Sequence, residues 1–522
     1  MLCYYTNLFC RLSLLIFFSV LVPATALAQT DTLVQHRIWV KLKEAMPGSA
    51  LLSGQINTGK ASFDQLTKDC SAISMRRIFS PTSNFEKAHE DYGLHLWYEV
   101  AFADTLSTSV QQLATLFCKE NSVITAEAIP VRTLYAAEPD TLNQATKPSD
   151  PRYEDQWHFA NTGQSGGTAG ADINLASAWT LASGDQNVIV AVIDGGIDTE
   201  HEDLQQAMWV NQAEKAGAFG IDDDGNGYVD DVYGFDFSAK RGRVYPDRHG
   251  THVAGTVGAV TNNNIGVAGV AGGNGKEQGV RLMSCAVFNQ AGQGGFAEAF
   301  VYAADNGAVI AQNSWGGGGK SQVLEDAINY FVARAGYDNT DEKFDQNIQT
   351  GPMAGGIVVF AAGNNQTKQA KAAYPASLES VTAVTSLDHN DVKSDFANYG
   401  DWVDIAAPGS EVLSTLPGDG YGYLSGTSMA SPHVSGVAAL VVSRFQKQGF
   451  TNQRLHRVLL TNADNVDAVN RSYREELGAG RVNAYRAVSS DTEKPPAPIA
   501  DLTSLGATFS SASLAWNAVG AD

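Results

Sequence analysis

The chain has 522 residues, is 44% hydrophobic and carries a formal charge of −21. That length allows about two to four domains, and that apolar content a large core. The acidic balance excludes a nucleic-acid binder, which needs a basic face to neutralise phosphate, and it fits a protein working outside the cell.

Residues 1–28 read as a signal peptide. Arg11 supplies the positive charge, residues 12–22 are nearly all apolar, and Ala26-Leu27-Ala28 offers a small-residue cleavage site. The apolar stretch is short of the roughly 20 residues a membrane span needs, so no span is expected after signal removal. Cys3 and Cys10 leave with the signal. Cys70, Cys118 and Cys285 remain, too few for a disulfide framework, with a Cys70–Cys118 pair left open.

Residues 29–135 alternate short strand and helix patterns. Strands are expected at 36–43, 94–101 and 124–131. A helix is expected within 107–119, where Val110, Leu113, Leu116 and Phe117 share a face. This is a small α/β unit, followed by a polar linker at 136–149.

Residues 150–490 have a different texture. Apolar runs at 187–193, 280–287, 308–312, 357–362, 381–385 and 403–406 read as strands buried on both faces. Helical patterns occupy 296–305, 323–334, 429–445 and 452–461. Such alternation predicts an α/β layer with an open, mostly parallel sheet flanked by helices. A Pro-rich linker at 491–498 follows. The last segment, 499–522, carries strand patterns at 499–505 and 513–516. It resembles the opening of a fibronectin type III module and is far short of the roughly 100 residues of such a sandwich, so a truncated module or an unfolded tail is expected.

Three segments carry chemistry. VIDGGID (192–198) ends an apolar strand on Asp194. HGTHVAGT (249–256) starts a small-residue helix on His249. GTSMASPHVSG (426–436) places Ser428 at the entry of a long apolar helix, with Pro432 expected inside the first turn, where no intrahelical partner is needed. Taken singly, Asp194 could be a turn carboxylate and Ser428 a helix cap. His249 and His252 lack an intervening Glu and a third ligand, so zinc is not expected. Together the residues match one reaction. A serine hydroxyl attacks only when a base takes its proton, an imidazole can do that near neutrality, and a carboxylate orients the imidazole. The order Asp, His, Ser, with gaps of 55 and 179 residues, separates this arrangement from chymotrypsin-like and α/β-hydrolase orders.

The three segments closely resemble the active-site signatures of the subtilisin-like (S8) serine peptidases, over residues 150–490. The resemblance implies Asp194 as orienting group, His249 as general acid/base and Ser428 as nucleophile. IVVFAAGN (357–364) resembles the family's oxyanion strand, which makes Asn364 the side-chain donor to the oxyanion. Gly292, Gly294, Ser314, Trp315 and Gly316 fall in segments resembling the two that flank the substrate backbone. Protein or peptide substrates are therefore expected. Residues 29–135 resemble a prosegment, implying a folding assistant and transient inhibitor removed by a cut between Tyr135 and Asp150.

The interval between Asp194 and His249 holds IDDDGNGYVDD (221–231). Asp222, Asp224 and Asn226 alternate as in the first half of an EF-hand loop. Tyr228 could add a carbonyl, and Asp230 or Asp231 a carboxylate. Tyr233 stands where a closing Glu would be, so a structural Ca²⁺ site of different geometry is expected. The expected location is secreted or cell-surface. The competing readings are a catalytically silent adhesion protein on a protease scaffold and a serine esterase. The first lacks a missing catalytic residue to support it, and the second lacks Gly-x-Ser-x-Gly.

Overall fold

The computed structural model describes residues 33–46, 56–82, 84–103, 108–134, 148–290, 292–490, 503–507 and 512–515. The expected signal peptide, the Pro-rich linker and most of the 136–149 linker lie outside them. Among the described residues no helix is long and apolar enough to cross a membrane.

The N-terminal unit runs β1 (Leu33–Leu42), α1 (Ala61–Asp69), β2 (Ala72–Arg77), α2 (Glu86–Asp91), β3 (Trp97–Phe102), α3 (Val110–Phe117) and β4 (Val123–Pro130). Its sheet order is β2-β3-β1-β4, with every pair antiparallel. The helix expected at 107–119 is α3, and Ser109 with Gln112 forms its capping box. Helix α1 and strand β2 have no counterpart in the sequence reading, because Phe63 and Leu66 alone give too weak an apolar period. Strand alternation sorts the side chains. Ile38, Val40, Tyr98, Val100 and Phe102 fill the unit's own core with Phe63 and Phe117. Trp39, Trp97 and Ile129 point the other way, into a core shared with the main unit. Cys70 and Cys118 are both free thiols.

A short strand, β5 (Thr133–Leu134), leads out of this unit. The main unit then contains α4 (Leu175–Ala178), β6 (Ile189–Gly195), α5 (Gln212–Ala216), β7 (Gly234–Asp236), α6 (Arg248–Gly258), β8 (Arg281–Asn289), β9 (Gly292–Gln293) and α7 (Phe296–Asp305). It continues with β10 (Ile310–Asn313), β11 (Trp315–Gly316), α8 (Gln322–Arg334), β12 (Ile357–Ala361), β13 (Thr382–Leu387), β14 (Ile405–Pro408), β15 (Val412–Leu416) and β16 (Gly420–Leu424). Helices α9 (Thr427–Phe445), α10 (Asn452–Thr461) and α11 (Ala484–Ser489) close it. A final hairpin, β17 (Thr503–Ala507) and β18 (Ala512–Ala515), follows.

The main sheet has the order β14-β13-β12-β10-β6-β8-β7, with β9 against β8. Every pair along the order is parallel, and only β8–β9 is antiparallel. This is the expected open, mostly parallel sheet flanked by helices. Val190 and Val192 pack with α6 and α9 on one face, while Ala191 and Ile193 pack with α7 and α8 on the other. That two-sided burial explains the unbroken apolar runs. Apart from β12, the observed strands of this sheet start and end one or two residues later than the expected ones.

The order matters for function. Strands β6, β10 and β12 are neighbours, with Ile193 opposite Asn313 and Asn313 opposite Phe360. Their carboxyl ends therefore bring Asp194, Ser314 and the segment leading to Asn364 to one edge, where such sheets gather functional groups.

Candidate active site

Asp194 is the next-to-last residue of β6 and fully buried. One carboxylate oxygen, Oδ1, accepts the Gly195 N–H at 2.7 Å and lies 2.7 Å from His249 Nδ1. His249 is the second residue of α6. Asp247 caps that helix, accepting the N–H groups of His249 (2.7 Å) and Gly250 (3.1 Å). Gly250 is required by close approach, since a Cβ there would sit 2.0 Å from the Gly195 carbonyl oxygen. Helix α6 thus starts directly on the strand that carries the aspartate.

A carboxylate against Nδ1 selects the tautomer with the proton on Nδ1 and leaves the Nε2 lone pair open. Nε2 has no protein hydrogen-bond partner among the described residues. Burial opposes a charge on His249, yet Asp194 outweighs it and holds the imidazole above its ordinary value. Burial pushes Asp194 above the usual carboxylate range, with His249 pulling it back. His252 faces elsewhere: its Nε2 lies 2.9 Å from the Val412 carbonyl oxygen and 3.1 Å from that of Gly422.

Ser428 is the second residue of α9, so its N–H falls among the first-turn donors that have no intrahelical acceptor. Its Oγ donates to the Ser314 carbonyl at 2.9 Å, and its own carbonyl accepts from Ser314 Oγ at 2.7 Å. Because α9 begins at Thr427, Pro432 is its sixth residue. The expectation that Pro432 sits in the first turn is therefore corrected. The missing proline N–H falls on the carbonyl four residues earlier, that of Ser428.

Asn364 lies three residues beyond β12 and is half-buried. Its Oδ1 accepts from the Thr427 N–H at 3.0 Å and the Thr427 hydroxyl at 2.8 Å. With the oxygen end so held, the amide nitrogen is the end left to face outward. Asn398, absent from the sequence reading, fixes this loop. Its Oδ1 accepts the N–H groups of Asn365 and Thr367, and its Nδ2 donates to Ala362. The two partners stand more than 30 residues apart in sequence, and no local pattern marks that pairing.

The cleft segments follow. Gly292 lies in β9, and Gly294 N–H donates to the Val287 carbonyl at 2.9 Å. Ser314 precedes β11, which holds Trp315 and Gly316. The Trp315 side chain is buried and donates to the Ile193 carbonyl at 2.7 Å, so only its backbone is offered to the cleft. Strand β5 pairs antiparallel with β11, Thr133 opposite Gly316 and Leu134 opposite Trp315. Arg132 N–H donates to Gln293 Oε1 at 2.7 Å, and its guanidinium donates to the carbonyls of Gly317 and Gly319. The chain from Arg132 to Leu134 thus lies between the two segments, bound as an added strand.

The acidic loop packs around α5. Glu214, Asp222 and Asp224 have carboxylate oxygens all within 4.8 Å of one another. Glu214 was not anticipated, as it lies eight residues before Asp222. Asp222 accepts the N–H groups of Asn226 and Gly227, the latter at a backbone φ of +93° that suits glycine. Asp230 instead accepts from Gly220 N–H, and Asp231 accepts from Asn211, Asn226 and Tyr302. The Tyr228 ring is buried against Phe235, Phe237 and Tyr302. A further pair, Asp150 and Asp203, converges on loop 262–267. Asp150 accepts from Asn262 and Asn263 N–H, and Asp203 from the Asn263 side chain and Val267 N–H.

Comparison with known proteins identifies the family. The subtilase family (peptidase S8) matches residues 185–480. A thermophilic serine proteinase from Bacillus sp. (strain AK1) is 34% identical over 358 residues, 68% of this chain and 72% of that protein. Thermitase from Thermoactinomyces vulgaris is 34% identical over 60% of this chain and 93% of its own length. An extracellular protease of Xanthomonas campestris is 33% identical over 73% of this chain and 65% of that protein. With more than half of the chain inside the family match, this chain belongs to the subtilase family of serine endopeptidases.

Proposed function

We propose that the chain is a secreted serine endopeptidase that cleaves through Asp194, His249 and Ser428 with an acyl-enzyme intermediate. One geometry carries this: a buried carboxylate 2.7 Å from His249 Nδ1, with a free Nε2, on the sheet edge where Ser428 opens α9. His249 Nε2 takes the Ser428 Oγ proton as Oγ attacks the peptide carbonyl. Asp194 holds the tautomer and stabilises the imidazolium. The tetrahedral oxyanion is received by the Asn364 amide and the Ser428 N–H. His249 then gives its proton to the leaving amine, and water repeats the sequence on the acyl-enzyme. Gly292, Gly294, Ser314, Trp315 and Gly316 offer backbone to an extended substrate. A serine-directed phosphonate should label the wild type and not Ser428→Ala. Labelling of the variant would remove Ser428 from its role.

The N-terminal unit acts as a prosegment and transient inhibitor, cut between residues 135 and 150. The antiparallel seating of Thr133–Leu134 on β11 supports this, because it fills the path an extended substrate would use. Polar contacts hold the unit on the enzyme. Lys41 Nζ lies 2.6 Å from Asp326, and Glu127 accepts from Ser321 Oγ (2.7 Å) and Gln322 N–H (2.9 Å) at the start of α8. Pure Ser428→Ala protein should remain uncut, and normal processing would contradict self-cleavage.

Structural Ca²⁺ is proposed at the acidic loop. The all-oxygen donor set of Glu214, Asp222 and Asp224 suits a hard cation, and an ion would relieve their mutual repulsion. Asn226, Tyr228, Asp230 and Asp231 frame the loop. Secretion is supported by relatives named extracellular proteases, and cell-surface retention remains part of the proposal. The β17–β18 hairpin after the linker suits the opening of a fibronectin type III-like module.

A further inference from the structure

Strand β10 is central and buried, yet its third residue is Gln312, fully enclosed with Ser314, Ser431 and Ser435. Enclosed polar groups weaken a core unless every one finds a partner, so the hydrogen bonds of this cluster constrain one another. In one orientation of the Gln312 amide the four side chains share their protons as follows. Ser435 Oγ donates to Gln312 Oε1 at 2.6 Å. The amide nitrogen donates to Ser314 Oγ (2.9 Å) and Ser431 Oγ (2.7 Å). Ser431 Oγ lies 2.9 Å from Ser314 Oγ and can donate to it. The Ser314 proton then remains for the Ser428 carbonyl, at 2.7 Å. In the reverse orientation the amide nitrogen donates to Ser435 Oγ (2.6 Å) and the Ser431 carbonyl (3.2 Å) while its oxygen faces Ser314, Ser431 and the Asn313 N–H (3.3 Å), and the 2.7 Å contact of Ser314 Oγ with the Ser428 carbonyl is common to both orientations.

The Ser428 carbonyl needs this donor. Its helical partner would be the N–H of residue 432, and Pro432 has none. The first turn of α9, which aims both Ser428 Oγ and Ser428 N–H, is thus tied across 114 residues to the strand that grips the substrate. The bond is reciprocated by Ser428 Oγ donating to the Ser314 carbonyl.

We propose that Ser314 is a positioning residue for the nucleophile, with Gln312, Ser431 and Ser435 as the buried clamp that orients its hydroxyl. This rests on the endopeptidase reading above. Its consequence is that one residue serves two functions: the Ser314 carbonyl grips substrate, and the Ser314 hydroxyl aims Ser428.

The test is steady-state kinetics on a peptide anilide with the matured full-length chain. Active sites are counted by phosphonate titration, and melting is followed in parallel. Ser314→Ala keeps the carbonyl and removes the hydroxyl. It should lower kcat about tenfold, the rate equivalent of one buried hydrogen bond, with KM within about twofold. Ser314→Thr should recover most of the loss, because its hydroxyl can reach the same carbonyl. An unchanged kcat in folded Ser314→Ala, or a loss confined to KM, overturns the proposal. If Ser314→Ala gives no folded protein, Ser435→Ala carries the test. A fall of about threefold in kcat at constant KM sustains the clamp, and wild-type kcat overturns it. A wild type that fails to label at all would instead defeat the endopeptidase reading and the clamp with it.

Discussion

The N-terminal unit and the main unit are both α/β layers, but they bury their sheets differently. The main sheet is closed on both faces by its own helices. The N-terminal sheet is closed on one face by α1 and α3. On its other face it presents Trp39, Trp97 and Ile129 to the main unit. Around those apolar anchors the contacts are ionic and polar: Lys41 to Asp326, Glu127 to the start of α8, and His89 Nε2 at 2.8 Å from Asp305. The N-terminal layer thus has one core of its own and a second that it shares with its partner. The main unit shares that second core in turn, and Thr133–Leu134 at the end of the N-terminal unit pairs with its strand β11.

The largest test of this contrast is Ser428→Ala. Removing the nucleophile should reduce kcat on the order of 10⁶-fold, measured on a peptide anilide, while leaving the two units associated. Asn364→Ala should cost about 10²–10³ in kcat at nearly constant KM, because in the proposed role the amide acts only on the developing oxyanion. Full loss of folding there would show that the main unit leans on this loop more than its core suggests.

Trp97→Ala in the uncut Ser428→Ala background separates the units thermodynamically. Trp97 is fully buried in the shared core and also donates to Asp326 at 3.1 Å. Its loss should destabilise the N-terminal transition by about 3–5 kcal/mol in calorimetry and leave the main transition near its original temperature. Equal loss in both transitions would mean the units unfold as one.

Acid should act on the main unit instead. Burial pushes His252 down to about 3 and His433 down to about 4, from an ordinary 6.5. Both stay neutral when folded and take up protons when unfolded. Their contribution is therefore complete above pH 6.5 and lost as pH falls from there toward 4 and then 3. The full shifts correspond to roughly 3 kcal/mol for His433 and roughly 5 kcal/mol for His252. Denaturation midpoints at pH 7 and pH 4 check this, and replacing His433 by Gln should flatten the difference.

The smallest effect concerns the acidic loop. An ion bound only by the folded state adds about 2.7 kcal/mol at a hundredfold excess over Kd. Chelation by EDTA should therefore lower Tm by several degrees, and added Ca²⁺ should restore it. A Tm indifferent to EDTA removes calcium from the proposal.

Much of the candidate site was legible in the sequence because the residues proposed for it sit in local motifs. Asp194 needs a strand end followed by glycine, His249 a tightly packed helix start, and Ser428 small neighbours at a helix entry. Each demand falls on adjacent residues. Glu214 escaped notice because helix α5 folds back on the loop, and Asn398 because its partners are distant in sequence. The short helix α1 had too few apolar residues to register as a period.

Sequence alone determined the layer class, the identity of the chemical groups and their order along the chain. These rest on side-chain periodicity and on short motifs, which are properties of neighbours. Tertiary structure decided which faces of the N-terminal sheet are shared, and which carboxylates crowd together at Glu214. It also decided that the carbonyl freed by Pro432 is taken by Ser314, 114 residues away. Those outcomes depend on strand order and on pairings between residues tens to more than a hundred positions apart. Only a folded chain brings such residues within hydrogen-bond reach.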